Sequence, residues 1–299
     1  MSRLFPGSRE MDITTDSGVT IHLETLGSGE PLLLIHGYPQ THVMWHKAAP
    51  ELSKHFTLVM PDLRGYGDSG CPDGGKDNEA YSKRAMAEDM VCIMKELGFD
   101  SFFACGHDRG ARVLTQLAMD YPEKVRRAIM LDIVPELDLY RGTNELFARY
   151  YYHWFFLIQP EVPEILISAA PLEFLQRFAG FSKRPDVFSP EAVAEYERCF
   201  SKPDVIRGTC GDYKAGAGVD LKAQENMLRE GRKIKCPLLV LYGKKGLIAF
   251  FDPENTWKRW AEDPQVFPVE DCGHFIPEEK PDEFVRQTLD FLQNAGQDR

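Results

Sequence analysis

The sequence predicts an α/β protein: a mostly parallel eight-stranded sheet flanked by helices, with one inserted helical cap. Three observations predict it. Short continuous apolar runs such as Pro31–Ile35 and Pro237–Tyr242 read as strands buried on both faces. Segments of helical period alternate with those runs, as the crossovers of a parallel sheet require. After Pro135 the alternation stops, and roughly a hundred residues of aromatic-rich helical sequence pass before Pro237 restores a buried strand.

Taken in order, Thr20–Leu26 alternates polar and apolar residues like an early antiparallel strand, and Pro31–Ile35 follows as the first buried one. Met44–His55 reads as a helix, Phe56–Met60 as a strand, and Asp62–Ser69 as a Gly-rich loop. Tyr81–Leu97 is a strongly amphipathic helix. Phe102–Cys105 is a strand, Arg109–Asp120 a helix and Val125–Ile133 a strand. The cap runs from 134 to 236, so residues 1–133 and 237–299 form the two parts of one core. Beyond the cap come a helix at Pro253–Ala261, a strand at Gln265–Val269, the loop Asp271-Cys272-Gly273-His274 and a helix at Pro281–Asn294. No internal repeat or low-complexity tract interrupts this plan, and Gly74-Gly75-Lys76-Asp77 is a polar surface loop.

Composition excludes several classes of function. At 299 residues with a net charge of −11, the chain lacks the clustered Lys and Arg that nucleic acid or an anionic membrane surface would require. Seven cysteines form neither a close pair nor an even disulfide set, which suits a reducing cytoplasm. The first sixteen residues show no targeting pattern, and no run is long enough to span a bilayer, so a cytoplasmic location is expected.

The chemistry is concentrated at Cys105-Gly106-His107-Asp108-Arg109-Gly110-Ala111. Gly106 and Gly110 flank Asp108 at the spacing of the nucleophile elbow of α/β-hydrolases, a tight strand-to-helix turn that needs small neighbours. Asp stands where Ser is usual. A carboxylate is poorly suited to acyl transfer but can displace a leaving group from saturated carbon, leaving an ester for water to hydrolyse. His274, on the loop after the last strand, is the expected general base. Its orienting acid is expected at Asp132, at the end of a strand, because the turn Gly243-Lys244-Lys245-Gly246 carries no carboxylate; Asp252 is the alternative. The oxyanion of ester hydrolysis needs two backbone donors, expected from Arg109 and from Tyr38 after His36-Gly37, each worth about 3 kcal/mol.

Arg109 and Arg112 imply an anionic substrate. Arg112 lies four residues after Asp108, on the same helix face, and Arg109 is forced close by the elbow. A carboxylate held by guanidinium groups would present its α-carbon to Asp108. One of the two could instead pair with a carboxylate of the protein, an outcome expected more of Arg112 than of Arg109. In the cap, His153, Trp154 and the Tyr213 hydroxyl offer three donors for a leaving group, although Tyr150–Phe156 is by composition an apolar helix filling the cap.

Together, His107-Asp108-Arg109-Gly110 with Arg112, His153-Trp154, Tyr213, Asp132 and His274 resemble the fluoroacetate dehalogenases through nearly the whole chain. His36-Gly37-Tyr38-Pro39-Gln40 and Asp62–Ser69 are common to many α/β-hydrolases and add less. The resemblance implies Asp108 as nucleophile, Asp132 and His274 as acid and base, Arg109 and Arg112 as carboxylate ligands, and His153, Trp154 and Tyr213 as halide ligands. It implies hydrolysis of haloacetate to glycolate and halide through an aspartyl ester, no metal or organic cofactor, and a homodimer. An epoxide hydrolase is the nearest rival, since the cap is rich in tyrosine, but a neutral epoxide has no use for Arg109. A dehalogenase of larger 2-haloacids is a further alternative, with Phe181, Arg184 and Ile248 expected to shape that choice.

Overall fold

The computed structural model of the protein describes residues 4–293. Its strands are β1 (Arg9–Thr14), β2 (Thr20–Gly27), β3 (Glu30–Ile35), β4 (Phe56–Pro61), β5 (Phe102–His107), β6 (Val125–Leu131), β7 (Leu238–Gly243) and β8 (Pro264–Val269). They form one sheet in the order β1-β2-β4-β3-β5-β6-β7-β8. β1 and β2 pair antiparallel, as do β2 and β4, and all other neighbours are parallel. The pattern of each strand follows its place. β5 is buried at every position, because helices cover both of its faces, whereas the edge strand β1 alternates.

β3 lies between β4 and β5, so chain order reverses around it, and the loops leaving β3 and β5 meet at the carboxyl end of the sheet. That crevice holds Tyr38 and Asp108. The helix Lys83–Glu96, capped by the Ser82 hydroxyl accepting from the Ala85 N–H at 3.2 Å, packs beside the helix Arg109–Asp120 that leaves β5.

Between β6 and β7 the chain is helical, including Glu136–Arg141, Tyr152–Phe156, Pro190–Phe200, Pro203–Ala215 and Leu221–Arg229. This segment covers the crevice. Its helix Pro203–Ala215 reaches the Gly-rich loop after β4 where Gly208 meets Gly65. A Cβ on Gly208 would stand 2.5 Å from the Gly65 Cα. Lys83 pairs with Asp212 and Asp220 across the same boundary, and the Tyr66 hydroxyl donates to Asp212 at 2.6 Å.

Three sequence expectations change. β1 was not anticipated, because Arg9–Thr14 buries little of its surface and gives only a faint alternation. Met44–His55 is not one helix but a 3-10 turn, His42–Trp45, and a short helix, Ala49–Leu52. Pro50 is the cause: lacking an N–H, it fits the first turn of a new helix but not the middle of a longer one. β6 ends at Leu131 rather than Ile133, because Asp132 takes a left-handed φ of 50°. The last helix is described as Pro281–Gln293, and Asn294 lies outside the described residues. All seven cysteines are unpaired, and no described helix is long and apolar enough to cross a membrane.

The Gly208 contact makes a stability prediction. Gly208→Ala should destabilise the protein by about 1–3 kcal/mol in denaturant unfolding, through overpacking against the Gly65 backbone. An unchanged midpoint would show that the cap is free to shift.

Candidate active site

β5 delivers its chain directly into a helix, and Asp108 makes the turn at φ 47°, ψ −114°. Such a conformation is costly for a residue with a Cβ and survives only where the surroundings enforce it. Here three glycines do so. A Cβ on Gly110 would lie 2.3 Å from the His36 carbonyl, one on Gly106 would lie 2.6 Å from the Gly110 carbonyl, and one on Gly37 would lie 2.5 Å from the Asp108 Cβ. The turn projects the carboxylate upward, where its Oδ1 accepts from the Tyr38 N–H at 3.0 Å. The expected backbone donor is therefore already aimed at the nucleophile.

His274 stands on the loop after β8. Its Nδ1 is 2.6 Å from Asp132 Oδ2, and its Nε2 is 3.8 Å from Asp108 Oδ2. The second Asp132 oxygen accepts from the Gly243 N–H at 2.9 Å. Asp132 is thus the carboxylate against His274, while Asp252 is exposed and caps the helix Pro253–Trp260, accepting from the Asn255 N–H. His107 was not anticipated. Its Nε2 meets the His274 carbonyl at 2.8 Å, with the two rings 4.6 Å apart, which fixes the height of the loop.

Charge is arranged to suit these positions. Burial opposes the ionised form of Asp108, but the charges of His274, Arg112 and Arg109 outweigh it and hold the carboxyl below its ordinary value. Burial likewise opposes protonation of His274, yet the hydrogen bond and charge of Asp132, with Asp108 beyond, raise it above 6.5. Burial pushes Asp132 up against the pull of His274. His107 is driven by burial, and by His274, down to about 3 and stays neutral.

Above Asp108 lies a cavity of about 180 Å³, lined by Asp108, His274, Tyr38, Phe275 and the cap residues Tyr150, Tyr151, His153, Phe178, Ala179 and Tyr213. A larger cleft, of about 400 Å³, lies away from the elbow and contains none of these groups. Burial lowers His153 to about 3, so it is neutral, and its buried Nδ1 has no hydrogen-bond partner. The buried Trp154 Nε1 also has none. Trp154 packs edge-on to Tyr213, with ring centroids 5.8 Å apart. Buried donors without partners are costly in a native protein and imply an acceptor that the protein itself does not supply.

The two arginines exchange the roles expected of them. Arg109 is fully buried and pairs with Asp212, Nε to Oδ2 at 2.8 Å and Nη2 to Oδ1 at 2.7 Å, while Nη1 lies 2.9 Å from Glu136 Oε1. It was expected to be the less engaged of the pair. The correction has a simple cause: the first residue of the helix points at Pro203–Ala215, and a guanidinium buried there needs a carboxylate. Arg112 donates Nη1 to the Val134 carbonyl at 2.9 Å, its Nε has no partner, and its guanidinium lies 4.7 Å over the Trp154 ring. Asp212, Glu136 and Lys83 were missed; the requirement that a buried Arg be paired was the available signal.

Arg109, Arg112 and Trp154 stand outside the lining of this cavity, and so do Phe181, Arg184 and Ile248. Phe181 packs behind Phe275 at 5.4 Å, Arg184 pairs with Glu279 at 2.8 Å, and Ile248 is buried away from it.

This sheet order, elbow and Asp–His–Asp set define a hydrolase of the α/β fold. Residues 30–281 match the family model described as alpha/beta hydrolase fold, and the chain belongs to that family. It is 39% identical over 282 residues to a fluoroacetate dehalogenase of Burkholderia sp, covering 93% of this chain and 91% of that one. It is 36% identical over 281 residues to a soluble epoxide hydrolase of Corynebacterium sp. (strain C12), covering 92% and 94%. A solved structure from Nostoc sp PCC 7120, described as an alpha/beta hydrolase, is 46% identical with a TM-score of 0.92, covering 97% of this chain and 99% of that one.

The Asp132–His274 contact is testable without a substrate. In Asp132→Asn the burial penalty on His274 is opposed only by the weaker charges of Asp108 and Glu279, so its titration midpoint should fall from the wild-type value in an NMR titration of the imidazole. An unchanged midpoint would assign the raised value to another group.

Proposed function

We propose that the protein hydrolyses haloacetates, fluoroacetate and chloroacetate, to glycolate and halide through an ester on Asp108. The observation that carries this reading is the buried, unpartnered His153 Nδ1 on the cavity over ionised Asp108, with two more unpartnered buried donors, Trp154 Nε1 and Arg112 Nε, on side chains that pack against each other outside the cavity lining. One substrate satisfies them all: a carboxylate for Arg112 and a halogen for the cap donors. The dehalogenase among the relatives supports the same reading.

In the first step an oxygen of Asp108 attacks the α-carbon in line with the carbon–halogen bond, and the halide leaves toward His153, Trp154 and Tyr213. Arg112 holds the substrate carboxylate. Arg109, tied to Asp212 and Glu136, contributes charge from behind and keeps Tyr213 in place, its guanidinium 4.4 Å over that ring. In the second step neutral His274 takes a proton from water, which attacks the Asp108 carboxyl carbon. The resulting oxyanion is stabilised by the N–H groups of Tyr38 and Arg109; its collapse breaks the ester C–O bond, the leaving oxygen takes the proton back from His274 to give glycolate, and Asp108 releases the remaining water proton to return as a carboxylate. Fluoride is strongly hydrated, so its departure needs converging donors in a dry pocket, and the buried indole and imidazole supply them.

An epoxide hydrolase is the second reading. Tyr151 and Tyr213 line the cavity, and burial raises both well above 10, so each keeps a proton to give to an opening ring. The epoxide hydrolase at 36% identity favours it too. Halide release decides between them. Ion chromatography should find fluoride and chloride from the two acetates, abolished in Asp108→Asn; no halide, with diol formed from a simple epoxide, would establish the second reading.

Two further outcomes are expected. Arg112→Gln should weaken chloroacetate binding by about 1.5–3 kcal/mol, roughly ten- to hundredfold in KM, whereas an unchanged KM would remove Arg112 from the substrate site. His274 acts as the neutral base and its value is raised, so turnover should climb with pH through a midpoint above 6.5. Alkylation needs only ionised Asp108, which persists at lower pH, and rapid quench at acidic pH should therefore trap the ester. Turnover that is flat across that range would contradict the assignment of the base.

A further inference from the structure

Glu278 is a buried carboxyl that the reaction at Asp108 does not use, and it stands four residues after His274 where three parts of the site meet. Gln40, also buried, donates its amide to Glu278 Oε2 and, at 3.2 Å, to the Tyr196 hydroxyl. That hydroxyl lies 3.1 Å from Glu278 Oε1. Tyr196 belongs to the cap helix Pro190–Phe200. Gln40 closes the turn that carries the Tyr38 N–H: its own N–H donates to the Gly37 carbonyl at 2.9 Å, and the Tyr38 N–H donates to Asp108 Oδ1 at 3.0 Å. Next to Glu278, Glu279 accepts from the Gly273 and Phe275 N–H groups, both at 2.9 Å, which frames His274. One carboxyl therefore joins the turn of the oxyanion donor, the cap and the loop of the base.

We propose that Glu278 is a positioning residue: as a neutral acid it fixes the turn that aims the Tyr38 N–H, and its ionisation frees that turn and lowers turnover at alkaline pH. The inference rests on hydrolysis of an ester on Asp108, which the haloacetate and epoxide readings share. The partners of the carboxyl are an amide and a phenol, and burial pushes it up to about 8 against the pull of those two hydrogen bonds. At neutral pH the acid keeps its proton. Its contact with Tyr196 stands in that state, because a hydroxyl can accept from a carboxylic acid as well as donate to a carboxylate. Once ionised, the same group is a buried carboxylate held by two neutral donors, and opening the triangle to water relieves that cost. Lys47 lowers the value from nearby, but its ammonium donates to the backbone carbonyls of Glu278 and Val187 rather than to the carboxyl. Glu279 raises it and is itself paired with Arg184. On the adjacent turn His42 is held between Asp62 and Glu24, and on the last helix Glu283 pairs with Arg286 while Asp282 is exposed.

The test follows the Tyr38 amide itself, in the full chain labelled with ¹⁵N-tyrosine and without substrate. Its NMR signal, assigned by its loss in Tyr38→Phe, should shift with a component whose midpoint is about 8 in the wild type. That component should be absent from Glu278→Gln, a neutral isostere that keeps hydrogen bonds to Gln40 and Tyr196. The titration of His274 reaches the same amide through Asp108 and should remain in both proteins. With whichever substrate is turned over, chloroacetate or a simple epoxide, kcat should fall through the same midpoint in the wild type and stay level in Glu278→Gln. Glu278→Ala should lower kcat roughly tenfold at neutral pH with KM little changed, a fraction of what removing an oxyanion donor costs, and Glu278→Gln should restore it. An amide titration identical in the wild type and Glu278→Gln, or an alkaline fall in kcat that survives in that variant, would overturn the proposal. Failure to hydrolyse either substrate would count against the ester on Asp108, whereas the amide titration reports on Glu278 without any substrate.

Discussion

The left-handed turn at Asp108 is the constraint on which the site depends. A residue with a Cβ holds φ 47° there only because β3, β5 and the following helix close on one another without side chains at Gly37, Gly106 and Gly110. The turn aims the carboxylate at the Tyr38 N–H, starts the helix that carries Arg109 and Arg112, and brings Asp108 to His274. Each of these consequences follows from the same few ångströms of backbone contact. The reversal of strand order at β3 makes the contact geometrically available.

Electrostatics supply the second layer. Five ionisable groups, Lys83, Arg109, Glu136, Asp212 and Asp220, are buried together where the cap meets the core. Buried charges of this kind add little net stability compared with apolar packing, but breaking one pair leaves its partner stranded. Their value here is placement. Asp212 precedes Tyr213 on the same helix, so the pair that holds Arg109 also sets the height of a cavity-lining tyrosine. With Arg109 occupied, Arg112 is the guanidinium to which the proposed function assigns the substrate carboxylate.

Much of the fold was legible in the sequence because its signals are local. Buried strands such as Pro31–Ile35 and small residues around Asp108 declare themselves within a few positions. Asp132 was legible from the absence of a carboxylate after β7, and the structure puts it 2.6 Å from His274. What was not legible depends on contacts remote in sequence. A linear reading takes Arg109 as the freer of the two arginines, and only the position of Asp212, 103 residues away, reverses that order. Edge strand β1 was missed for the opposite reason: with little to bury, it carries little pattern. Phe181 lies one aromatic layer behind the cavity, a distinction that composition cannot draw.

The central claim is that Asp108 carries a carboxymethyl ester during turnover. The direct measurement is peptide mass spectrometry of the His274→Asn protein after exposure to fluoroacetate, since that variant keeps the nucleophile and lacks the base. The account predicts a carboxymethyl group on the peptide containing Asp108, absent from the Asp108→Asn, His274→Asn double variant. An unmodified peptide after fluoroacetate, together with a hydroxyalkyl ester on Asp108 after a simple epoxide, would contradict it.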